Sequence, residues 1–244
     1  MGCHWQSASL SDTGMVREIN EDACHEMPAE QIWLVADGMG GHHAGEVASQ
    51  AVVDSIDRIE RVERLSEKIA QVCARIQDAN TLLVQEGRRR GDGVIGSTVA
   101  VLILDDRQAA CIWAGDSRIY RLRNGHLRQL TRDHRWVEEF VSRGLMSRQA
   151  ADNHPLSNEI TRAVGADSKL ELSVELRTLL PGDKFLICSD GLYGEVAEAE
   201  IADILSGKSM GDACRSLVAA AKRNGAHDNV TVVVVQEDSW MPES

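Results

Sequence analysis

The chain has 244 residues, with 38 Asp and Glu against 26 Lys and Arg, and a formal charge of −12. A chain this acidic repels phosphate backbones and anionic lipid surfaces, so general binding to nucleic acids or membranes is not expected. No apolar run approaches the roughly 20 residues that a membrane-spanning helix needs, and the 43% of apolar residues is enough for a sizeable core.

Nine strands are predicted from short runs enriched in β-branched residues. In chain order they are Trp5–Leu10, Gln31–Ala36, Ser97–Leu104, Ala109–Ala114, Arg118–Arg123, His126–Leu130, Leu170–Arg177, Lys184–Cys188 and Val230–Gln236. The fifth and sixth flank Asn124-Gly125, two residues that tolerate the positive φ of a tight turn. We therefore expect an antiparallel hairpin in the middle of the chain.

Five helices are predicted, the second of them from apolar residues that recur at helical spacing. They are Ala44–Ile59, Leu65–Gly87, His134–Arg143, Glu198–Leu205 and Met210–Asn224. Strands occur in groups and long helices in pairs, without regular βαβ alternation. This order favours an α+β layered sandwich of antiparallel sheets over a doubly wound parallel sheet.

Composition is uniform along the chain, with no repeat and no low-complexity linker, so we expect a single domain over residues 1–244. Within it, the polar and helical stretch from Asp133 to Gly165 interrupts the strand pattern. We expect this stretch to pack beside a sheet edge, where surface insertions often serve recognition.

Six cysteines form no CxxC pair, and Cys111 and Cys188 lie in apolar runs, which fits buried thiols in a reducing cytoplasm. None is followed, after five intervening residues, by the arginine that a cysteine-dependent phosphatase needs. The N-terminus shows no secretory signal. The expected location is therefore the cytoplasm.

Aspartates recur where predicted strands end or begin. Asp37, Asp116 and Asp190 each follow an apolar run, and Asp228 comes just before one. Any single Asp-Gly pair is typical of a turn. If the four meet at one sheet edge, however, their mutual repulsion requires shared protons or hard cations, and oxygen-only ligands favour Mg²⁺ or Mn²⁺ over zinc.

Seven short blocks occur along the chain. They are Arg17-Glu18-Ile19-Asn20-Glu21-Asp22, Asp37-Gly38-Met39-Gly40-Gly41-His42, Gly96-Ser97-Thr98, Gly115-Asp116-Ser117-Arg118, Leu130-Thr131-Arg132-Asp133-His134, Ser189-Asp190-Gly191-Leu192 and Asp228-Asn229. Together and in this order they resemble the metal-dependent serine/threonine protein phosphatases of the protein phosphatase 2C type (PPM family), in their compact bacterial form. The resemblance runs from Ser9 to Gln236.

This resemblance implies a four-layer αββα sandwich, two antiparallel β-sheets packed face to face with helix pairs outside. It also implies two metal ions, Mn²⁺ or Mg²⁺, bridged by Asp37. Asp190 and Asp228 would bind the first ion and the Gly38 carbonyl the second. Phosphothreonine or phosphoserine on a protein would be hydrolysed by direct attack of the metal-bridging water.

Further positions take their roles from the same resemblance. Glu21 and Asp22 would hold metal-bound waters, and Asp116 would bind a third, weaker ion together with Asp190. Arg17 would clamp the substrate phosphate with its guanidinium fork.

The expected general acid departs from the pattern of eukaryotic members. Met39 stands where they have the histidine that protonates the leaving group, so the nearby His42 is the candidate acid, with a metal-bound water as the alternative. The stretch from Asp133 to Gly165 matches the flap beside the catalytic cleft, and its arginines either meet substrate or pair with neighbouring carboxylates.

The expected partners are phosphorylated proteins and a cognate Ser/Thr kinase of a cell-wall, stress or secretion pathway, type VI secretion included. No nucleic acid or membrane insertion is expected, and the expected state is a monomer. Two alternatives stay open: a non-catalytic relative that binds phosphoproteins, and a hydrolase of small phosphoesters. The presence of Asp37, Asp190 and Asp228 argues against the first.

Overall fold

A computed structural model describes residues 5–40, 43–57, 59–90 and 94–237, except for the side chain at position 152. The strands are β1 (Trp5–Asp12), β2 (Asp22–Met27), β3 (Ile32–Met39), β4 (Gly96–Ser97), β5 (Val99–Leu104), β6 (Gln108–Ala114), β7 (Arg118–Arg123), β8 (His126–Gln129), β9 (Ser173–Thr178), β10 (Lys184–Cys188) and β11 (Val230–Glu237). The helices are α1 (Ala44–Ile56), α2 (Leu65–Arg90), α3 (Trp136–Ser142), α4 (Arg148–Asp152), α5 (Asp190–Tyr193), α6 (Glu198–Gly207) and α7 (Met210–Asn224).

These strands form two antiparallel sheets. Sheet A has the order β1-β11-β10-β7-β8, and sheet B has the order β2-β3-β5-β6-β9, with β4 paired to the end of β3. The expected hairpin joins β7 to β8, with Asn124 and Gly125 at φ 51° and 76°. Strand β11, late in the sequence, lies between β1 and β10.

Three clusters of buried apolar side chains fill the spaces between the layers. Residues of both sheets, among them Trp33 and Leu102 of sheet B and Phe185 and Val233 of sheet A, pack together between the sheets. The outer face of sheet B packs on α1 and α2, and the outer face of sheet A packs on α5, α6 and α7. The four-layer αββα sandwich expected from the resemblance is confirmed.

Most predicted elements are present with shifted ends, and three match to the residue: β7, β10 and α7. The predicted helices at Ala44–Ile59 and His134–Arg143 are shorter in the structure, and the predicted strand Leu170–Arg177 begins at Ser173. Strand β2 and the short helices α4 and α5 were not predicted. All six residues of β2 are half-buried, so they lack the alternation that marks a strand.

Two corrections bear on the cleft described below. The predicted strand Gln31–Ala36 continues to Met39, so Asp37 lies within β3, opposite Asp22 of β2, and does not follow the strand. The predicted strand Ser97–Leu104 is interrupted at Thr98, which separates β4 from β5. Both changes place polar groups of neighbouring strands beside Asp37.

The five cysteines that the structure describes are free thiols. Cys111 and Cys188 are fully buried, as expected, and burial raises the pKa of the Cys111 thiol to about 12. Among the described residues, none of the helices combines the length and apolar character needed to cross a bilayer.

Candidate active site

A cleft of about 280 Å³ opens at the edge where the two sheets meet. Seven residues singled out from the sequence line it: Arg17, Glu21, Asp37, Gly38, Asp116, Asp190 and Asp228. They come from five separate stretches of chain, and the sandwich brings them to one place. Asp22 is paired with Asp37 in the sheet and lies behind the cleft.

The backbone around Asp37 is fixed by the interruption at Thr98. The Asp37 N–H donates to Thr98 Oγ1 at 3.0 Å, and the Thr98 N–H donates back to the Asp37 carbonyl at 2.8 Å. Next along β3, the Gly38 N–H donates to the Glu21 carbonyl at 3.0 Å. A Cβ on Gly38 would lie 2.0 Å from the Gly45 carbonyl oxygen, so α1 approaches too closely for any other residue.

Asp37 carries the strongest electrostatic strain of the cleft. Its enclosure by protein raises the pKa of this carboxyl well above its usual range, and repulsion from Asp22, Asp190, Asp116 and Asp228 raises it further. A cation bound among these carboxylates removes that repulsion and favours the ionised form. The arrangement is therefore typical of a metal ligand.

Two neighbouring aspartates are perturbed in the same direction. Burial raises the pKa of Asp22 to about 6, although the Ser189 hydroxyl donates to its Oδ2 at 2.7 Å. Asp190, the first residue of α5, has its pKa raised to about 7 by burial and then by Asp116. Such shifts cluster at functional sites.

A loop that spans residues 13–21 carries Arg17 to the rim of the cleft. The side-chain amide of Asn229 donates to the carbonyls of Thr13 and Ile19, both at 2.9 Å, and its Oδ1 accepts the Glu21 N–H at 2.8 Å. Arg17 Nη2 donates to Asp228 Oδ2 at 2.8 Å, which raises the pKa of the guanidinium. The arginine is half exposed and therefore open to a ligand, with 53% of its side chain accessible.

On the opposite side of the cleft, Asp116 already has a positively charged partner. Arg135 Nη2 lies 2.7 Å from Asp116 Oδ2, and both side chains are almost fully buried. Burial nevertheless raises the pKa of Asp116, against the lowering effect of Arg135. Asp116 thus differs from Asp37, whose pKa is raised by repulsion from four neighbouring carboxylates.

His134 attaches the start of the flap to the end of β6. Its Nδ1 accepts the Gly115 N–H at 3.2 Å, which leaves Nε2 as the donor to Ser173 Oγ at 3.0 Å, and its ring stacks on Trp113. Burial, and then Arg162, lower the pKa of His134 to about 4. The folded protein therefore holds this imidazole neutral.

We expect His134 to make stability depend on pH. An unfolded histidine has a pKa of about 6.5, whereas the pKa of His134 in the folded protein is lowered to about 4. The contribution of neutral His134 to the free energy of unfolding is therefore complete above about pH 6.5 and is lost as the pH falls toward 4. Urea unfolding of the wild type and of His134→Gln should show a difference in unfolding free energy that shrinks between about pH 7.5 and pH 5. A difference that stays constant would contradict this assignment.

The flap arginines expected either to meet substrate or to pair with carboxylates are Arg143, Arg148 and Arg162, and they pair with nearby carboxylates. Arg143 bonds Glu139, Arg148 bonds Glu138, and Arg162 lies 3.7 Å from Glu171. This matches the second of the two readings given above, in which these arginines pair on a solvated face.

The candidate general acid, His42, lies outside the described residues. His43 is described, and it is exposed at the start of α1 with a left-handed φ of 66°. Met39 lines the cleft, at the position discussed above.

The donors fit hard divalent cations. Asp37, Asp190 and Asp228 offer carboxylate oxygens, the backbone at Gly38 offers a carbonyl, and such all-oxygen sets suit Mg²⁺ or Mn²⁺. In the described part of the chain, no three Asp, Glu, His or Cys side chains already stand in ligating positions. The fit therefore rests on the donor chemistry and on the repulsion at Asp37.

Sequence reasoning missed three residues that organise the cleft. Thr98 fixes the backbone of Asp37, Asn229 holds the Arg17 loop, and Arg135 bonds Asp116. Asn229 and Thr98 belong to blocks that the resemblance identified, so a signal was present for both. Arg135 follows such a block by one residue, and only the folded flap shows its contact.

The sequence matches the family model of protein phosphatase 2C over residues 16–229. The serine/threonine phosphatase stp of Listeria welshimeri is 35% identical over 237 residues, which cover 93% of this chain and 94% of that protein. The serine/threonine protein phosphatase PstP of Mycobacterium tuberculosis is 33% identical over 228 residues, or 93% of this chain. The chain spans 44% of the length of PstP.

Solved structures agree with these relatives. PppA, described as a key regulatory component of T6SS in Pseudomonas aeruginosa, superposes with a TM-score of 0.91 at 41% identity, over 98% of this chain and 100% of that one. The catalytic domain of PstP in complex with two manganese ions superposes with a TM-score of 0.86 at 32% identity, over 96% and 98% of the two chains.

Proposed function

The chain belongs to the protein phosphatase 2C family, and we propose that it is a metal-dependent serine/threonine protein phosphatase. The observation that carries this proposal is the cleft in which Asp37, Asp190 and Asp228 meet beside an accessible Arg17. Oxygen ligands for cations and a guanidinium for phosphate suit the hydrolysis of a phosphoester by metal-activated water.

Two divalent cations, Mn²⁺ or Mg²⁺, are the proposed cofactors, held by Asp37, Asp190, Asp228 and the Gly38 carbonyl. When bound, they make water a nucleophile at neutral pH and neutralise charge on the phosphoryl group. Manganese is supported by the structure of PstP, and magnesium by the all-oxygen donor set. A third cation at Asp116 would first have to displace Arg135.

The protein's own side chains bind and orient the substrate. Arg17 offers two parallel N–H groups to the phosphate. One of its nitrogens now donates to Asp228, so the substrate phosphate replaces that carboxylate as the hydrogen-bond partner of Arg17. Glu21 on the cleft wall, and Asp22 behind it, would hold metal-bound water. The flap over residues 133–165 places Ile160 on the cleft wall, where the substrate protein reaches the phosphate site.

The proposed substrates are phosphothreonine and phosphoserine proteins made by a Ser/Thr kinase in the cytoplasm, and the proposed state is a monomer. The similarity to PppA makes a type VI secretion pathway the first to test. The acidic chain, at −12, tolerates basic residues that flank the phosphorylated site.

Hydrolysis of a phosphothreonine peptide by the pure protein tests the proposal. We expect phosphate release with Mn²⁺ and none with EDTA, and activity that returns when Mn²⁺ is restored in excess. Asp78→Asn, an exposed change on α2, serves as the control for the preparation. The readout is free phosphate against time.

The same assay separates the two alternatives. A relative that only binds phosphoproteins would retain the peptide without releasing phosphate. A hydrolase of small phosphoesters would cleave a small aryl phosphate with a much higher kcat/KM than the phosphopeptide. Either result would overturn the proposed function.

A further inference from the structure

A fixed positive charge, the guanidinium of Arg135, is bonded to one carboxylate of the cleft. Arg135 Nε donates to Asp116 Oδ2 at 2.8 Å, its Nη2 lies 2.7 Å from the same oxygen, and Nη2 lies 3.8 Å from Asp190 Oδ2. Only 14% of the arginine side chain and 6% of the aspartate side chain are exposed. The guanidinium therefore occupies the space beside Asp116 and faces Asp190.

Tyr193 closes a ring of hydrogen bonds around this pair. Arg135 Nη2 donates to the Tyr193 hydroxyl at 2.9 Å, and that hydroxyl donates to the Asp116 backbone carbonyl at 2.9 Å. The guanidinium of Arg118 lies 3.5 Å from the centroid of the Tyr193 ring and is itself bonded to the buried Asp133. Arg135 is thus held on several sides.

Arg135 reaches the cleft from the flap, and its own backbone carries part of the flap. It pairs with Ile160 in an isolated antiparallel bridge, and the adjoining Trp136 N–H donates to the Glu159 carbonyl at 2.9 Å. Ile160 in turn lines the cleft. The contact between the guanidinium and Asp116 therefore connects this bridge to the cleft.

A divalent cation and a guanidinium compete for the same oxygen. A metal ion at Asp116 would stand next to the buried positive charge of Arg135, which could move away only by breaking its hydrogen bonds to Asp116 and Tyr193. The residues at this position do not fit the third, weaker ion expected from the resemblance. They fit the other two ions, because Arg17, which now bonds Asp228, is half exposed and can move to the substrate phosphate, and Arg135 lies 3.8 Å from Asp190, beyond hydrogen-bond distance.

We propose that Arg135 takes the place of a third divalent cation at Asp116, so that this cleft holds two metal ions and the flap is fixed to it by a charge from the protein itself. The proposal rests on the proposed function, since it counts ions at that site. Arg135 is a positioning residue, acting through Asp116.

Counting bound Mn²⁺ tests the proposal without using activity. The full chain is titrated with Mn²⁺, and the electron paramagnetic resonance signal of the free ion gives the number bound. We expect two ions for the wild type and three for Arg135→Gln, the third weaker than the others. The matched control is Arg132→Gln, which removes an exposed arginine just before the flap. Its hydrogen bond goes to the Glu138 carbonyl, and its loss should leave the count at two.

Asp116→Asn gives a second, independent arm that leaves Arg135 in place. We expect this variant to bind two ions like the wild type, because Asp116 is not a metal ligand in the protein as folded. Loss of one ion from Asp116→Asn, or three ions in the wild type, would overturn the proposal. So would two ions in an Arg135→Gln protein with a native circular dichroism spectrum. A wild type that binds no Mn²⁺ would instead contradict the proposed function.

Hydrogen exchange measures the attachment of the flap. In Arg135→Gln without metal, amide exchange at Trp136 and Thr161 should rise at least several-fold over the wild type, while exchange in β10 stays unchanged. These two amides donate to the Glu159 and His134 carbonyls, the bonds on either side of the Arg135–Ile160 bridge. Unchanged exchange at both would show that the charge does not fix the flap.

Discussion

Asp37→Asn is expected to lower kcat/KM on a phosphothreonine peptide by about 1,000-fold. Bound cations stabilise the charge of the transition state by several kcal/mol, and the loss of about 4 kcal/mol corresponds to that factor. Asp37 is the carboxylate most enclosed by other carboxylates in the cleft, so no neighbour can replace it as a shared ligand. The measurement is the initial rate at saturating Mn²⁺. Asp190→Asn should fall in the same range.

The same substitution is expected to increase the thermal stability of the metal-free protein. The ionised Asp37 is repelled by Asp22, Asp190, Asp116 and Asp228 when no metal is present, so the neutral asparagine should raise the midpoint of thermal unfolding in EDTA. Mn²⁺ should raise the midpoint of the wild type more than that of Asp37→Asn. An active Asp37→Asn enzyme would refute the site, whereas an unfolded one would show a structural role.

Arg17→Ala is expected to raise KM for a phosphopeptide by about 10- to 100-fold, the factor that a charged hydrogen bond of 1.5–3 kcal/mol represents. Mn²⁺ affinity should not weaken, because Arg17 contributes no ligand and its removal frees Asp228. Arg17→Lys should recover only part of the loss, because an ammonium restores the positive charge but cannot make two parallel bonds to phosphate.

The control for Arg17 is Arg64→Ala, which removes an exposed arginine at the start of α2 and should leave KM at the wild-type value. An unchanged KM in Arg17→Ala would place the phosphate clamp elsewhere. Weaker Mn²⁺ binding in that variant would show that the loop over residues 13–21 supports the metal ligands as well.

Elements with strong local signals could be predicted from the sequence to the residue. Helix α7 begins after Ser209, whose hydroxyl caps the Asp212 N–H, and ends at Gly225, whose φ of 125° few other residues adopt. Strand β10 is a continuous buried run bounded by Asp183 and Ser189. In both cases neighbours in the sequence determine the boundaries.

Other features depend on distant residues and could not be predicted in this way. Asp37-Gly38 has the composition of a turn, yet it continues β3 because Gly38 pairs with Ser97 of β4. The contact between Arg135 and Asp116 spans nineteen positions and forms only when the flap folds back over the cleft. The resemblance located the carboxylates, but not the arginine that neutralises one of them.

Strand β11 occupies the middle of sheet A, and Asn229 just before it holds the Arg17 loop. During synthesis, residues 5–21 leave the ribosome long before their partners near residue 229, a sequence separation that makes this pairing a late step of folding. A nascent chain that stops short of Asp228 therefore has neither the phosphate clamp in place nor all its metal ligands.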